Sequence, residues 1–132
     1  MTRTKPIDPI LEKGYNVRLL VDDFDGLINK WTKRSAAFRA TVDSSIDCQY
    51  GSGEKDKLDI FRCGQDNAPL FIFIHGGYWR SSSQKDVDLY AEALVPAGCA
   101  YVTVNYLLAP EATIDEVVRQ CRAGLAWAYN NA

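Results

Sequence analysis

The segment at 70–75 (LFIFIH) constrains the fold of this chain more than any other. It is short, almost continuously apolar, and bounded by a proline and two glycines. Such a segment is typical of a β-strand that is buried on both faces, and hence of a central strand in a parallel sheet. A helix is predicted from Ser83 to a stop at 96–98, and a second buried strand follows at 99–106. This strand–helix–strand order predicts a βαβ unit with a right-handed crossover.

The segments before this unit are predicted to be helices and a hairpin. An amphipathic stretch at 7–13 ends at Gly14, and apolar residues at helical spacing predict a second helix over 23–40. Residues 46–60 instead alternate between apolar and polar side chains around a glycine-rich turn, which is typical of a β-hairpin.

The last helix is predicted to begin at Thr113. Thr113 and Glu116 have the spacing of a capping box, in which each side chain accepts a hydrogen bond from the backbone N–H of the other residue. Arg119 and Arg122 are expected on the exposed side of this helix. The residues expected on its buried side are Val117, Val118, Cys121, Leu125 and Ala128.

These elements predict an α/β fold in a single domain over 1–132. Residues 1–42 would form the N-terminal helices, and 43–132 would form four strands and two helices. We expect a mostly parallel sheet with a leading antiparallel hairpin and with helices on both faces. Ligands bind such sheets beyond the carboxyl ends of the strands, so the residues directly after 70–75 are the first candidates for function.

Composition and charge disfavour several classes of protein. A net charge of −2 argues against a nucleic-acid binder. The longest apolar runs have five residues, and no signal-peptide pattern precedes the first proline. The four cysteines lack zinc-site or CxxC spacing, and one histidine cannot form a histidine-rich metal site. We therefore expect a cytoplasmic protein with reduced thiols, no nucleic-acid or membrane partner, and no metal or organic cofactor.

The motif HGGYWR at 75–80 directly follows the first buried strand. Its two glycines let the backbone turn sharply and approach a ligand closely. A turn of this kind can direct consecutive backbone N–H groups into one anion-binding concavity, and in acyl transfer each such donor is worth about 3–4 kcal/mol in the transition state. The alternative is a plain strand-to-helix turn in which the glycines only avoid a clash.

The HGGYWR motif resembles the oxyanion loop of α/β-hydrolases, in particular of the arylformamidase-like (kynurenine formamidase-like) carboxylesterases. HGGYWR is highly specific when NY and then VRQCRAGLAWAY follow at the right distance, as they do here. The resemblance extends over nearly the whole chain and implies that it supplies the first four strands of that fold. Its other segments are YNVR at 15–18, the helix at 29–40, the hairpin residues at 50–51 and 58–61, Asn105-Tyr106, Pro110 and 114–132.

The resemblance implies roles for the residues of this loop. The backbone N–H groups of Gly77 and Tyr78 would form the oxyanion hole, with a third donor from the residue after the nucleophile. His75 and Gly76 would support the loop, and His75 would not be the catalytic base. Tyr78 and Trp79 either line an aryl or acyl pocket or pack the loop against the domain.

The catalytic residues that the resemblance calls for are absent from the sequence. In this family the nucleophile lies in G-x-S-x-G and is followed along the chain by Asp or Glu and then His. This sequence has no G-x-S-x-G and no histidine after His75. Ser52 belongs to a hairpin turn, and the serines at 81–83 belong to a helix start. We therefore expect the N-terminal portion of a longer serine hydrolase, incomplete as a domain.

The function implied by the resemblance is hydrolysis of an amide or an ester through an acyl-enzyme. An N-formyl aryl amide such as N-formylkynurenine is the leading substrate class, and a short-chain ester is the second. We expect this chain alone to be inactive. The alternative is an inactive truncated hydrolase, or a fragment that binds a ligand or a partner. A nucleotide-binding βαβ module is disfavoured, because neither G-x-G-x-x-G nor G-K-[ST] follows the strand.

The family's strand order also implies a bare sheet edge. In that order the strand at 70–75 lies between the strand at 99–106 and the strand of the nucleophile elbow. Without the elbow strand, its second edge is apolar and unpaired. An edge of this kind invites pairing with another chain, so we expect self-association through it.

Overall fold

Four strands form one sheet in the computed structural model, which describes residues 8–132. The sheet order is β1-β2-β4-β3. Strands β1 and β2 form the predicted antiparallel hairpin, β2 and β4 are also antiparallel, and β4 and β3 form the predicted parallel pair. This part of the sheet is therefore mixed, with the parallel order confined to β3 and β4. The strands are β1 (Ser44–Gln49), β2 (Lys57–Phe61), β3 (Leu70–Ile74) and β4 (Ala100–Val104).

Helices cover both faces of the sheet, as predicted. The first predicted segment begins later than expected and continues through Gly14, and residue 7 lies outside the described residues. None of the helices within residues 8–132 has the length and apolar character needed to cross a membrane. The helices are α1 (Pro9–Tyr15), α2 (Phe24–Arg39), α3 (Gln84–Val87), α4 (Ala91–Leu94) and α5 (Ile114–Asn131), with 3₁₀ turns at Val17–Leu20 and Asp88–Tyr90.

Helix α2 confirms the helix predicted over 23–40. It begins at Asp23, whose carboxylate accepts a hydrogen bond from the Gly26 N–H at 2.9 Å. Phe38 near its end packs on Phe61 of β2, with ring centroids 5.8 Å apart. The helix thus covers the face of the sheet opposite α5.

The single helix predicted from Ser83 is wrong, because the structure divides it into α3, a 3₁₀ turn and α4. Side chains of α2 replace one helical hydrogen bond here. The Leu89 N–H donates to Ser35 Oγ at 3.0 Å, and the Lys85 carbonyl instead accepts from Arg39 at 3.1 Å. The start is as expected, since the Ser83 N–H donates to the Asp86 carboxylate at 2.9 Å.

Helix α5 begins where predicted, but its capping box is only half formed. Thr113 Oγ1 accepts from the Glu116 N–H at 3.2 Å. The Glu116 carboxylate instead binds Arg119, at 2.6 Å. Arg119 is one turn along the helix and offers a charge, which outcompetes the neutral backbone N–H of Thr113.

The predicted buried face of α5 is wrong in part, because Val118 and Leu125 are exposed. Gly124 explains the difference. A Cβ at Gly124 would lie 2.6 Å from Val104 Cγ1, so the helix approaches β4 along this glycine and turns larger side chains away. The residues that do face the sheet are Val117, Gln120, Gly124 and Ala128, with Cys121 half-buried.

A largely buried ionic cluster lies between α2, α3 and the face of the sheet formed by β1 and β2. Lys85 Nζ lies 2.7 Å from the Asp59 carboxylate and 3.1 Å from Asp47. Arg39 lies 2.5 Å from Asp88. Asp59 and Asp88 are both fully buried. The cluster, defined by these five side chains, joins α2 and α3 to the hairpin.

Candidate active site

The loop at 75–83 leaves the carboxyl end of β3, which is where the sequence predicts a ligand site. Gly77, Tyr78 and Trp79 have φ angles of +115°, +57° and +55°. A Cβ at Gly77 would overlap the backbone carbonyl of Ser81, so position 77 requires glycine for space as well as for its φ angle. Tyr78, Trp79 and also Ser82, with a φ of +72°, are non-glycine residues at positive φ. Each stores backbone strain of the order of 1 kcal/mol, a feature common at functional loops.

Hydrogen bonds on one side of the loop keep it in this conformation. The Gly77 carbonyl accepts from the Arg80 N–H at 3.0 Å, and from the Ser81 N–H and Oγ at 3.1 Å each. The Trp79 carbonyl accepts from the Ala109 N–H at 2.7 Å. Within residues 8–132 the N–H groups of Gly77 and Tyr78 have no protein acceptor. The carbonyl oxygens of Gly77 and Trp79 are therefore hydrogen-bonded within the protein, whereas the N–H groups of Gly77 and Tyr78 remain available to bind a ligand.

His75 is enclosed beneath the loop. Its ring stacks on Tyr106 with centroids 4.2 Å apart, and its Nδ1 lies 2.8 Å from the Gly76 carbonyl. Burial lowers the pKa of His75, so the imidazole is neutral at neutral pH and Nδ1 carries the hydrogen that it donates to Gly76. No serine hydroxyl in the part of the chain that the structure describes is hydrogen-bonded to this ring.

Two tyrosine hydroxyls fix the strand ends under the loop, and the sequence reasoning assigned them no role. Tyr106 donates to the His75 carbonyl at 2.6 Å, and Tyr50 donates to the Asn105 carbonyl at 2.6 Å. Burial raises the pKa of both tyrosines, so both remain donors at neutral pH. The sequence signals for these contacts were the Asn105-Tyr106 pair and the hairpin residues at 50–51, which the resemblance quoted without a function in the site.

An open cavity of about 510 Å³ lies against this loop and is lined by His75, Gly76, Tyr78, Trp79 and Tyr106. Tyr78 and Trp79 are 72 % and 49 % exposed, and their rings meet edge to face at 6.4 Å. Four of the predicted site residues thus line one cavity. Gly77 belongs to the same loop and is half-buried beside it.

The other candidate groups occupy structural positions. Ser81 binds the Gly77 carbonyl, and Ser83 binds Asp86 at the start of α3. The four cysteines are unpaired and half-buried. No group of His, Cys, Asp and Glu within residues 8–132 has a metal-binding arrangement.

Comparison with solved structures defines the class of fold. A putative thioesterase from Silicibacter sp. TM1040 superposes with a TM-score of 0.83 at 25 % identity, over 91 % of this chain and 47 % of that protein. Esterase B from Lactobacillus rhamnosis has a TM-score of 0.64 at 20 % identity, over 81 % of this chain and 38 % of the esterase. With the sheet order and the loop after β3, these likenesses define the N-terminal portion of an α/β-hydrolase fold.

Sequence comparison then identifies the family. The family model BD-FAE matches residues 58–132, which is more than half of the chain and includes the whole loop. Kynurenine formamidase from Salmo salar is 35 % identical over 97 residues, which cover 72 % of this chain and 32 % of that enzyme. The chain belongs to the BD-FAE family, and its resemblance to kynurenine formamidase-like hydrolases is confirmed. It spans about a third of the length of the curated relatives that it matches.

Proposed function

We propose that this chain supplies the oxyanion loop of a serine hydrolase that cleaves an amide or an ester. One observation carries the proposal: the N–H groups of Gly77 and Tyr78 lack protein acceptors within residues 8–132 and belong to the loop beside the open cavity. In the reaction, a serine oxygen adds to the substrate carbonyl carbon, and the carbonyl oxygen becomes an anion. Gly77 and Tyr78 donate to that oxygen, which lowers the barrier to its formation.

The residues around these donors hold them in place. His75 and Gly76 support the loop from below, through the hydrogen bond between His75 Nδ1 and the Gly76 carbonyl. Because Nδ1 of His75 is bonded to the Gly76 carbonyl and no serine hydroxyl within residues 8–132 is hydrogen-bonded to the ring, His75 does not serve as the base that deprotonates the nucleophile. The nucleophile, its base and the acid that orients the base come from outside this chain, as does a third donor to the oxyanion. The chain alone therefore performs no turnover.

An aryl formamide is the substrate class that this cavity favours over a simple ester. Tyr78 and Trp79 present two exposed aromatic rings beside the loop. An aryl leaving group stacks on such rings, whereas the alkyl group of a short ester gains less from them. The relatives named kynurenine formamidase agree with this choice, and the esterases among the solved structures support the second class. We further propose that the hydrolase acts in the cytoplasm, since its cysteines are unpaired.

A chimera tests the proposal. Residues 1–132 replace the matching third of Salmo salar kynurenine formamidase, and hydrolysis of N-formylkynurenine and of p-nitrophenyl acetate is measured. We expect activity from the chimera and none from the 132-residue chain. Gly77→Ala should lower kcat by roughly 100-fold, because the loop must move and its donors lose their alignment.

Gly64→Ala is the matched control. Gly64 also has a positive φ, of +72°, but its surroundings are open. It lies outside the loop at 75–83 and does not line the cavity beside that loop. We expect this variant to keep kcat within about twofold. Equal losses in the two variants would contradict the oxyanion role of the loop. Turnover by the 132-residue chain alone would contradict the proposal that the nucleophile comes from outside this chain. An inactive but folded chimera would favour the alternative, a fragment that binds a ligand or partner.

A further inference from the structure

A second cavity lies next to the first, along the same loop. Its volume is about 250 Å³, and it is lined by Lys55, Arg80, Ser82, Ser83, Asn105, Tyr106 and residues 108–111. Tyr106 belongs to the lining of both cavities. Because Tyr78 and Trp79 line one cavity and the next residue, Arg80, lines the other, a molecule bound at the loop has access to both.

Two cations at this second cavity have no partner within residues 8–132. Arg80 and Lys55 both line it, and neither side chain forms an ion pair or a hydrogen bond there. Other basic residues nearby do pair, as Lys85 does with Asp59. Glu111 is the one carboxylate in the lining, and it is not within ion-pair distance of either cation. The cavity therefore has an excess of positive charge.

The backbone holds both cations close to the site. The Arg80 N–H donates to the Gly77 carbonyl at 3.0 Å, which joins Arg80 to the residue whose own N–H we propose as an oxyanion donor. The Lys55 carbonyl accepts from Asn105 Nδ2 at 3.3 Å, at the carboxyl end of β4. An Arg guanidinium binds a carboxylate through two parallel hydrogen bonds, and a Lys ammonium adds a second charge.

We infer that this second cavity binds the carboxylate of the substrate, so that the hydrolase selects aryl formamides that carry a free carboxylate. This inference rests on the proposed function. The reacting carbonyl lies at Gly77 and Tyr78, the aryl group lies against Tyr78 and Trp79, and the carboxylate reaches Arg80 and Lys55. N-formylkynurenine combines these three groups in one molecule. A neutral ester has no carboxylate to bind Arg80 and Lys55 in the second cavity.

Binding to the intact 132-residue chain tests the inference without any turnover. L-kynurenine and its methyl ester, which keeps the amino group but lacks the carboxylate, are titrated by calorimetry and by ¹⁵N–¹H NMR of the labelled chain. We expect the acid to bind about tenfold more tightly than the ester, since only the acid gains charge-assisted hydrogen bonds. Its amide shifts should include residues 80–83 and should weaken as salt is raised, because the cations are exposed to solvent.

Variants assign the effect to the cations. Arg80→Gln and Lys55→Gln should each weaken binding of the acid by about fivefold to tenfold, whereas Arg80→Lys should recover part of the loss. Arg122→Gln is the control, because Arg122 is exposed on α5 and lines neither cavity. The circular dichroism spectrum of each variant reports whether it has folded.

The inference is overturned if the acid and the ester bind equally, if neither binds, or if Arg80→Gln and Arg122→Gln behave alike. The chimera distinguishes failure of the proposed function from failure of this inference. In the chimera, Arg80→Gln should raise KM for N-formylkynurenine, whereas Gly77→Ala lowers kcat on both substrates. If Gly77→Ala lowers kcat in the chimera but the chimera does not prefer substrates with a carboxylate, the oxyanion role of the loop is supported and the carboxylate site is rejected.

Discussion

At one edge of the sheet, β1 is polar and irregular, whereas at the other edge β3 consists of five apolar residues in regular register. Strand β1 has a register shift between Ser45 and Cys48, and Asp47 within it has a φ of +57°. The Asp47 N–H turns inward and donates to Asp59 at 2.7 Å. Strand β3 contains no charged residue, no proline and no such shift.

Strand β1 thus has the features of an edge strand, whereas β3 has those of an interior strand. Bulges and charges prevent edge strands from pairing with other chains, and β1 has both. In β3, Phe71 and Ile74 are 46 % and 42 % exposed, one on each face of the sheet. The proposed catalytic loop thus begins at the end of the less protected strand.

The largest expected effect is self-association through β3 paired with β3 of a second copy. Light scattering after size exclusion should find dimers or larger species in the wild-type chain. Phe71→Lys should reduce the associated fraction about tenfold, because a charge on this strand must be desolvated for edges to pair. Ile46→Lys is the matched change on β1, where Ile46 is 37 % exposed, and should leave association unchanged. A wild-type monomer at all concentrations would refute the prediction.

A smaller effect concerns the ionic cluster behind β1. Burial raises the pKa of Asp88 to about 8, and the neighbouring Asp59 carboxylate adds to the rise against the opposing Arg39. Between about pH 4 and pH 8 the folded chain therefore holds a proton that the unfolded chain releases. The free energy of unfolding should fall across this range as pH rises, by several kcal/mol.

Urea unfolding at several pH values measures this slope. Asp88→Asn should flatten it, because an amide does not titrate and replaces the protonated carboxyl beside Arg39 without a change of charge. Asp43→Asn, an exposed carboxylate just before β1, should keep the wild-type slope. Association through β3 should not follow the same pH dependence, which distinguishes the two edges. A slope unchanged by Asp88→Asn would disprove the assignment.

The smallest effect is expected from the surface pair beside β1. Arg62 lies 3.5 Å from the Asp43 carboxylate, and both side chains are largely exposed. Exposed ion pairs contribute little, so Arg62→Ala should reduce the free energy of unfolding by less than about 1 kcal/mol. Urea denaturation in low salt provides the measurement. A larger loss would mean that this pair, and not the bulge, stabilises the β1 edge.

Local patterns predicted the elements of this fold better than they predicted how the elements pack. Helix α2, the hairpin and the parallel pair follow from periodicity and from turn residues, which act over a few positions. The buried face of α5 could not be predicted in this way, because Gly124 gains its importance from Val104 on another element. The break between α3 and α4 likewise depends on Ser35, far away along the chain.

The candidate site shows the same limit. HGGYWR is contiguous, so its place after β3 and its cavity residues could be predicted from the sequence. The second cavity could not, because Lys55 lies in the hairpin turn and Arg80 in the loop, and no sequence pattern joins them. Tyr106 was visible as a motif residue, but its hydrogen bond to the His75 carbonyl depends on the parallel register of β3 and β4.

The hydrogen bonds that Ser35 and Arg39 make to Leu89 and Lys85 also couple two segments that lie far apart along the chain. The segment at 84–90 lacks one bond of its own helical ladder, and α2 supplies the replacement partners. The hydrogen bonding of this segment therefore depends on α2, and we expect the two to unfold together. The loop at 75–83 leads directly into that unit. The far end of the loop is thus anchored, through Lys85 and Leu89, by residues that precede these two by 46 and 54 positions.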